Sequence, residues 1–304
     1  MSMQVYDVVI IGTGPAGIQA AIHAARRKAR VLMLGRIKNS ALYEAHIENY
    51  AFVPGVASGA DLLRLGVEQA QQFGAETAAE DVLSITQPDE LLQIELESGT
   101  TVAAYALIFS MGVAKKKLNV PGEEELSGRG ISYCADCDAN FYRGAVVAVT
   151  GNRSAAVNGA LTLLGYAAKV YLVAAEEIDV CSELLDRLMK SAVEIIPTSI
   201  KQIVGDRAVT ALVLANGQTL PVDGVFIEVG SKGILQLATE LGVQLDPESL
   251  KHIAVNRQQA TNIPGVYAAG DIVGPPYQMA KAVGEGCIAG MEAAAYARKL
   301  RTKV

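Results

Sequence analysis

The chain has 304 residues, of which 51% are hydrophobic, 19% are charged and 29 are glycine. Such a length holds two substantial cores, and such a composition describes a globular α/β protein. A net charge of −6 without a basic stripe argues against nucleic acid as a partner. No apolar run reaches the roughly 18 residues of a membrane span, and no signal peptide precedes the first strand, so the reading is non-membrane and cytoplasmic.

Val5 to Ile11 is an apolar run broken only by Tyr6 and Asp7, the pattern of a buried parallel strand. It leads into Gly12-Thr13-Gly14-Pro15-Ala16-Gly17, a helix over 18–29 and a second strand over 30–34. Strand, G-x-G-x-x-G, helix, strand is the dinucleotide-binding unit. Its glycines permit a tight turn and let backbone amides approach a pyrophosphate, while the helix N-terminus supplies about half a positive charge.

The second strand ends in Gly35-Arg36, without the acidic residue that commonly holds an NAD ribose. Residues 39–59 read as a long loop, of the length that is usually functional. A helix follows over 61–74, capped by Ser58 or Asp61, then strands at 82–86, 91–97 and 105–110. Asn119, Pro121 and Gly122 read as a linker into a second domain, and the acidic run Glu123-Glu124-Glu125 as a solvated helix start.

Cys134-Ala135-Asp136-Cys137-Asp138 comes next. Two cysteines two residues apart close and reopen a small disulfide ring. A zinc site would need a second pair, but Cys181 and Cys287 stand alone, and His23, His46 and His252 are distant in sequence. The expectation is therefore a redox pair and no metal. Four cysteines in this length suit a reducing compartment, where such a pair is more often catalytic than structural. Asp138 follows directly, and its carboxyl group suits the proton transfer of thiol–disulfide exchange.

The strand–turn–helix–strand pattern then repeats: 145–149, Gly151, 155–164, 169–173. The repeat implies two nucleotide-binding units, the second inserted into the first. A helix over 184–192 and three short strands near Ile200, 209–215 and 225–229 are expected to complete a small sheet. Ile263 to Asp271 ends in Gly270-Asp271, a strand end able to aim a carboxylate at a ribityl hydroxyl. A final helix runs from about Gln278 to Leu300, rich in Ala and Gly early on.

These pieces together resemble the low-molecular-weight thioredoxin reductases, members of the flavoprotein disulfide reductases. The resemblance rests on GTGPAG at 12–17, CADCD at 134–138 within ISYCADCDANFYRG, GVYAAGD at 265–271 and GEGC at 284–287. It implies an α/β fold of two Rossmann-like domains: an FAD domain over 1–116 and 246–304, and an inserted nucleotide domain over 117–245 carrying the cysteines. It also implies a homodimer, a rotation between domains, and a thioredoxin-like protein disulfide as partner. By the same resemblance the FAD site comprises Gly12, Gly14, Pro15, Ala16, Gly17, Gly35, Arg36, Tyr43, Asn49, Val82, Gly112, Gly270, Asp271, Gln278, Met279 and Ala280. Cys134 is implied to attack the partner, Cys137 to face the flavin, and Asp138 to be the acid beside it.

The chain departs from the family at the second nucleotide site. The family's G-G-G-x-S-A-x-E is here Gly151-Asn152-Arg153-Ser154-Ala155-Ala156-Val157-Asn158, with Arg153 in place of a glycine. The basic cluster that takes a 2′-phosphate is replaced by Ala174-Ala175-Glu176-Glu177, and Gln278-Met279-Ala280 stands where the family has Arg-Gln-Ala. These changes argue against NADPH. Gly151, Asn152, Arg153, Ala156 and Glu176 are left as the residues of a second nucleotide site, open to a second FAD, to NADH or to no ligand. The resemblance then points to two branches that abandoned NADPH, one diflavin-linked and one fed by ferredoxin. The ferredoxin branch tends to carry a C-terminal extension that this chain lacks, and the reading leans to the diflavin branch. A non-catalytic flavoprotein sensor is the alternative from another class, disfavoured by the intact cysteines and Asp138.

Overall fold

The computed structural model describes residues 3–112, 117–229 and 233–302. The chain divides into two compact units: Met1–Leu96, Thr100–Ala114 and Gly233–Val304 form the first, and Glu97–Gly99 with Lys115–Lys232 the second. The expected first boundary at 116/117 borders residues outside this description. The chain returns to the first unit at 232/233, not at 245/246. The reason is the helix Ile234–Glu240, whose Ile234, Leu237 and Ala238 are buried in the first unit's core beside Leu92, Ile94 and Val266.

The first unit is built on Gln4–Ile11. Alternate residues of this strand serve opposite layers: Val9 and Ile11 join one core cluster, Val8 and Ile10 the other. A strand buried on both faces is apolar there, as Val8–Ile11 of this one is. It pairs in parallel with Val31–Leu34 on one side and Thr101–Phe109 on the other. Glu76–Ala78 extends the sheet beyond Val31–Leu34, and Val266–Ala268 adds in parallel to Thr101–Phe109. Leu92–Leu96 and Val82–Thr86 complete it antiparallel. Against the second layer pack the helix Pro15–Arg26 and the last helix, Met279–Arg301.

Those two helices touch backbone to backbone. A Cβ on Gly286 would lie 2.1 Å from Ala16 O, and one on Gly290 would lie 2.3 Å from Ala20 O. The early Ala and Gly content of the last helix follows from this approach. The helix Gly59–Gln72 is capped by Ser58, whose Oγ accepts from Asp61 N. The segment read as a long loop holds a 3-10 turn, Ile37–Asn39, and a two-residue ladder pairing His46–Ile47 with Ala57–Ser58.

The second unit repeats the theme with a fully parallel sheet in the order Glu194–Ile196, Lys169–Val173, Val146–Thr150, Gly224–Ile227, Ile131–Ser132. The helix Ser154–Leu163 packs on its face. One expectation is corrected here. Gly224–Ile227 is fully buried and belongs to the parallel sheet, while the small antiparallel sheet is Ile200–Gly205, Val209–Leu214 and Thr219–Pro221. A second correction concerns Glu123. It is only 1% exposed and accepts from Leu118 N, Asn119 N and Tyr133 Oη at 3.3, 2.7 and 2.9 Å. Burial first, and this carboxylate second, push the Tyr133 phenol up to about 12. Glu123 thus clasps the entry segment and is not part of a solvated face.

The glycine contacts between helices generate a stability test. Gly290→Leu should lower the denaturation free energy by about 1–3 kcal/mol through overpacking, read as a lower denaturant midpoint. An unchanged midpoint would mean the two helices part without cost.

Candidate active site

The first unit's turn is shaped by steric necessity. Gly12 has φ 121°, and a Cβ there would lie 2.7 Å from Ser110 O. Ser110 Oγ donates to Ile11 O at 2.9 Å, tying the ends of the two central strands together. A Cβ on Gly17 would strike Gly12 O at 2.0 Å. Gly14 differs: a Cβ there meets only Ser40 Oγ, at 3.4 Å. Gly14 is also the N-cap of a helix with Pro15 at its first position and no side-chain cap. A helix of 12 residues therefore presents its N-terminal amides beside open space, the arrangement that binds phosphate.

Adjoining this turn is a cavity of about 490 Å³. Thr13, Gly35, Arg36, Lys38, Tyr43 and Ala78 are among its lining residues. Arg36 Nη1 stands 3.3 Å from Asp81 Oδ1, both largely buried, so the cavity wall carries a fixed ion pair. The side chain of Val82 points away into the core cluster with Leu92 and Phe109.

Two segments far apart in sequence meet in the same unit: Asn49 Nδ2 donates to Gln278 Oε1 at 3.2 Å. Gln278 is the N-cap of the last helix, Met279 is half-buried and Ala280 exposed in its first turn, and no side chain caps it. Gly112 is exposed with nothing near its Cα face. Gly270 adopts φ 89° and ψ −151°, a conformation reserved for glycine. The half-buried Asp271 beside it has a carboxyl group raised above its usual range by burial, with Lys281 opposing the rise. Sequence reasoning missed Lys281 and Glu285, although Glu285 lies inside GEGC.

In the second unit Cys134 and Cys137 form a disulfide. Cys134, half-buried, is the N-cap of the short helix Ala135–Asp138, and its Sγ accepts from Cys137 N at 3.1 Å. Cys137 is exposed. Ser132, buried and absent from the sequence reading, organises the pair: it accepts from Cys134 N at 3.0 Å and donates to Asp138 Oδ2 at 2.6 Å. Glu228 Oε1 accepts from Ala135 N at 2.8 Å, fixing the helix start. Burial and the charge of Asp138 raise the nearby Tyr142 phenol. Cys181 and Cys287 are half-buried and take no part in the disulfide. Among the described residues no cluster of three or more His, Cys, Asp or Glu is placed to hold a metal.

The side chains of the second glycine turn pair with neighbouring groups. Gly151 has φ 144°, and a Cβ there would meet Glu228 O at 2.3 Å and the Ala156 methyl at 2.9 Å. Asn152 Nδ2 donates to Glu176 Oε2 at 3.3 Å and to Glu177 O at 3.1 Å. Asn152 O accepts from Asp179 N at 2.8 Å, and Arg153 Nε lies 3.9 Å from Asp179 Oδ2.

Residues 6–286 match the family model described as pyridine nucleotide-disulphide oxidoreductase. The chain belongs to this family. The thioredoxin reductase of Listeria innocua is 36% identical over 98% of this chain and 96% of its own. The crystal structure of the atypical thioredoxin reductase of Desulfovibrio vulgaris Hildenborough superposes with a TM-score of 0.81 at 32% identity, covering 98% of this chain and 99% of that one. A ferredoxin-flavin thioredoxin reductase of Clostridium acetobutylicum gives 0.72 at 36% identity, with 99% and 100% covered. This pyridine nucleotide-disulphide oxidoreductase is a flavin-dependent disulfide oxidoreductase of the low-molecular-weight thioredoxin reductase type. FAD, the cofactor the family implies, suits the first unit: Gly14 leaves its Cα face open, the adjoining helix is uncapped, and a half-buried carboxyl stands at the Gly270-Asp271 turn.

Gly14→Arg should leave the fold intact, because the space is open, yet abolish flavin retention. Gly17→Ala should damage the fold itself. Flavin absorbance and circular dichroism of the two purified variants separate these effects. A Gly14→Arg protein that keeps its flavin would overturn the assignment of the turn.

Proposed function

We propose that this protein moves two electrons between an FAD in the first unit and the disulfide of a thioredoxin-like protein, through Cys134 and Cys137, without NADPH as donor. The observation that carries the proposal is the pairing of an organised disulfide with a second glycine turn whose side chains are tied to neighbouring acids. Ser132 and Asp138 flank the first, while Asn152 bonds Glu176 and Arg153 faces Asp179 at the second. The names of the relatives, all thioredoxin reductases, supply the partner class.

FAD, when bound, supplies a carrier that accepts and releases an electron pair. The protein side of the chemistry follows from the residues. Reduction of the Cys134–Cys137 bond takes two electrons and two protons and gives two thiols. Asp138, held at 2.6 Å by Ser132, is the carboxyl group that gives and takes a proton there. The Cys134 thiolate attacks one sulfur of the partner disulfide and expels the other as a thiolate. Cys137 then attacks Cys134 of the mixed disulfide, which restores the internal bond and frees the reduced partner.

The donor has two readings. A second FAD held by Gly151, Asn152, Arg153, Ala156 and Glu176 is the first. Ferredoxin is the second, favoured by 36% identity across the whole of the ferredoxin-flavin enzyme. Assembly as a homodimer and a cytoplasmic location belong to the same proposal. No helix of the described residues is long and apolar enough to cross a membrane.

Serine at 134 should leave a flavin that dithionite still reduces but stop transfer to thioredoxin. Serine at 137 should trap a mixed disulfide with thioredoxin. Full turnover by both variants would make the pair structural. Counting FAD per polypeptide and adding NADPH or NADH anaerobically tests the donor. Rapid bleaching by NADPH would overturn the reading of Arg153 and Glu176. Two FAD per chain would support the diflavin reading, and one FAD reduced by ferredoxin the other.

A further inference from the structure

Both backbone groups of Gly270 are taken by side chains of the last helix. Its N–H donates to Glu285 Oε2 at 2.8 Å, and its carbonyl accepts from Lys281 Nζ at 2.8 Å. Lys281 also donates to Gly274 O at 2.5 Å and lies 3.1 Å from Glu285 Oε2. One i,i+4 ion pair therefore grips both ends of the turn that carries Asp271. The two side chains are only 16% and 18% exposed, in a helix whose neighbouring residues are mostly Ala and Gly.

A buried ion pair is weak evidence for stability, because desolvating two charges cancels much of their attraction. An apolar pair would pack this helix as well. What an apolar pair could not do is bond the carbonyls of Gly270 and Gly274 or place a positive charge beside Asp271. Lys281 is the charge that acts on Asp271. The first helix, which meets Gly270 at Ala16, carries no acidic residue in its first turn, and Ile272 and Val273 complete the 3-10 turn. At the far end His252 lies against Gly274, with its ring bonded to Tyr277 Oη and Ser249 Oγ at 2.8 and 3.0 Å.

We propose that Lys281 and Glu285 are positioning residues for the flavin: they fix the Gly270–Gly274 turn and keep the Asp271 carboxylate available to hydroxyl donors of the bound ligand. The inference rests on the flavin reading of this site. Hydroxyl donors stabilise the ionised carboxyl, so binding is linked to loss of its proton. Burial raises the Asp271 carboxyl, so FAD affinity is full above its titration and falls as pH drops through it. Without Lys281 the burial is unopposed and the fall begins at a higher pH.

The test is FAD release from the full-length holoprotein on dilution, followed by flavin fluorescence between about pH 5 and pH 8. Lys281→Met should move the midpoint up and weaken FAD, at pH values below it, by about tenfold for each unit of that move. Lys281→Arg should restore the wild-type midpoint, and Glu285→Gln should weaken FAD with a smaller shift. His252→Asn should leave the midpoint in place. A Lys281→Met protein that melts lower yet keeps the wild-type pH midpoint would show a merely structural pair and overturn the inference. If Lys281→Met does not fold, an unaltered FAD affinity in Glu285→Gln overturns it instead. A wild-type protein that holds no FAD at any pH would sink the flavin reading itself, an outcome distinct from the others.

Discussion

The first unit depends on a place where backbone meets backbone. Gly17 lies against Gly12 O, Gly286 against Ala16 O and Gly290 against Ala20 O, at separations no Cβ tolerates. These contacts join the opening turn to a helix more than 250 residues later in sequence. Val266–Ala268 adds to Thr101–Phe109 in the same sheet, so the return of the chain is built into the strand order. The second unit lies within this closure: the chain leaves after four parallel strands are in place and comes back to add the fifth. The Gly270-Asp271 turn follows that returning strand, so a ligand site made of the two chain ends exists only when this closure is complete.

The redox pair obeys a different logic. Its helix of four residues is too short to hold itself, since a first turn costs more order than its bonds return. It is held from outside: Ser132 at Cys134 N and at Asp138, Glu228 at Ala135 N, and the Glu123–Tyr133 clasp next to it in sequence. Four buried or half-buried polar side chains thus hold the segment that carries the two cysteines. Each is satisfied by a bond, as buried polar groups must be.

Much of this was legible in the sequence because long parallel strands and glycine turns leave strong signals. Val5 to Ile11, the GTGPAG turn and the repeat at 145–173 read correctly from apolar runs and glycine spacing. Strands of two or three residues, such as Ile131–Ser132 and Glu76–Ala78, carry no period to read. Glu123 was misread because a run of three acids looks solvated, and only tertiary hydrogen bonds distinguish its first member. Gly224–Ile227 was assigned to the wrong sheet, since pairing partners are not written in a four-residue run. Lys281 went unseen because its helix has the composition of a packing element, and its role appears only once Gly270 is beside it.

The chain contains its own comparison for the nucleotide question. The two turns superpose in logic. Gly12 N bonds Leu34 O as Gly151 N bonds Val173 O, and Ile18 N bonds Gly14 O as Val157 N bonds Arg153 O. Gly12, Gly14 and Gly17 therefore correspond to Gly151, Arg153 and Ala156. The first glycine is retained in both because φ is positive and a carbonyl crowds its Cα. The last differs between them: a Cβ on Gly17 would strike Gly12 O at 2.0 Å, whereas the second turn carries the methyl of Ala156. The middle position brings the larger change. At Gly14 the space is open, and at Arg153 a guanidinium stem starts from the same point, with Asp179 balancing its charge. The backbone hydrogen bonds of the two turns are alike, and the second turn differs in Arg153 and in the Asn152–Glu176 pair beyond it. The second turn keeps Gly151 because Glu228 O crowds its Cα, whereas nothing in the sheet requires a glycine at 153.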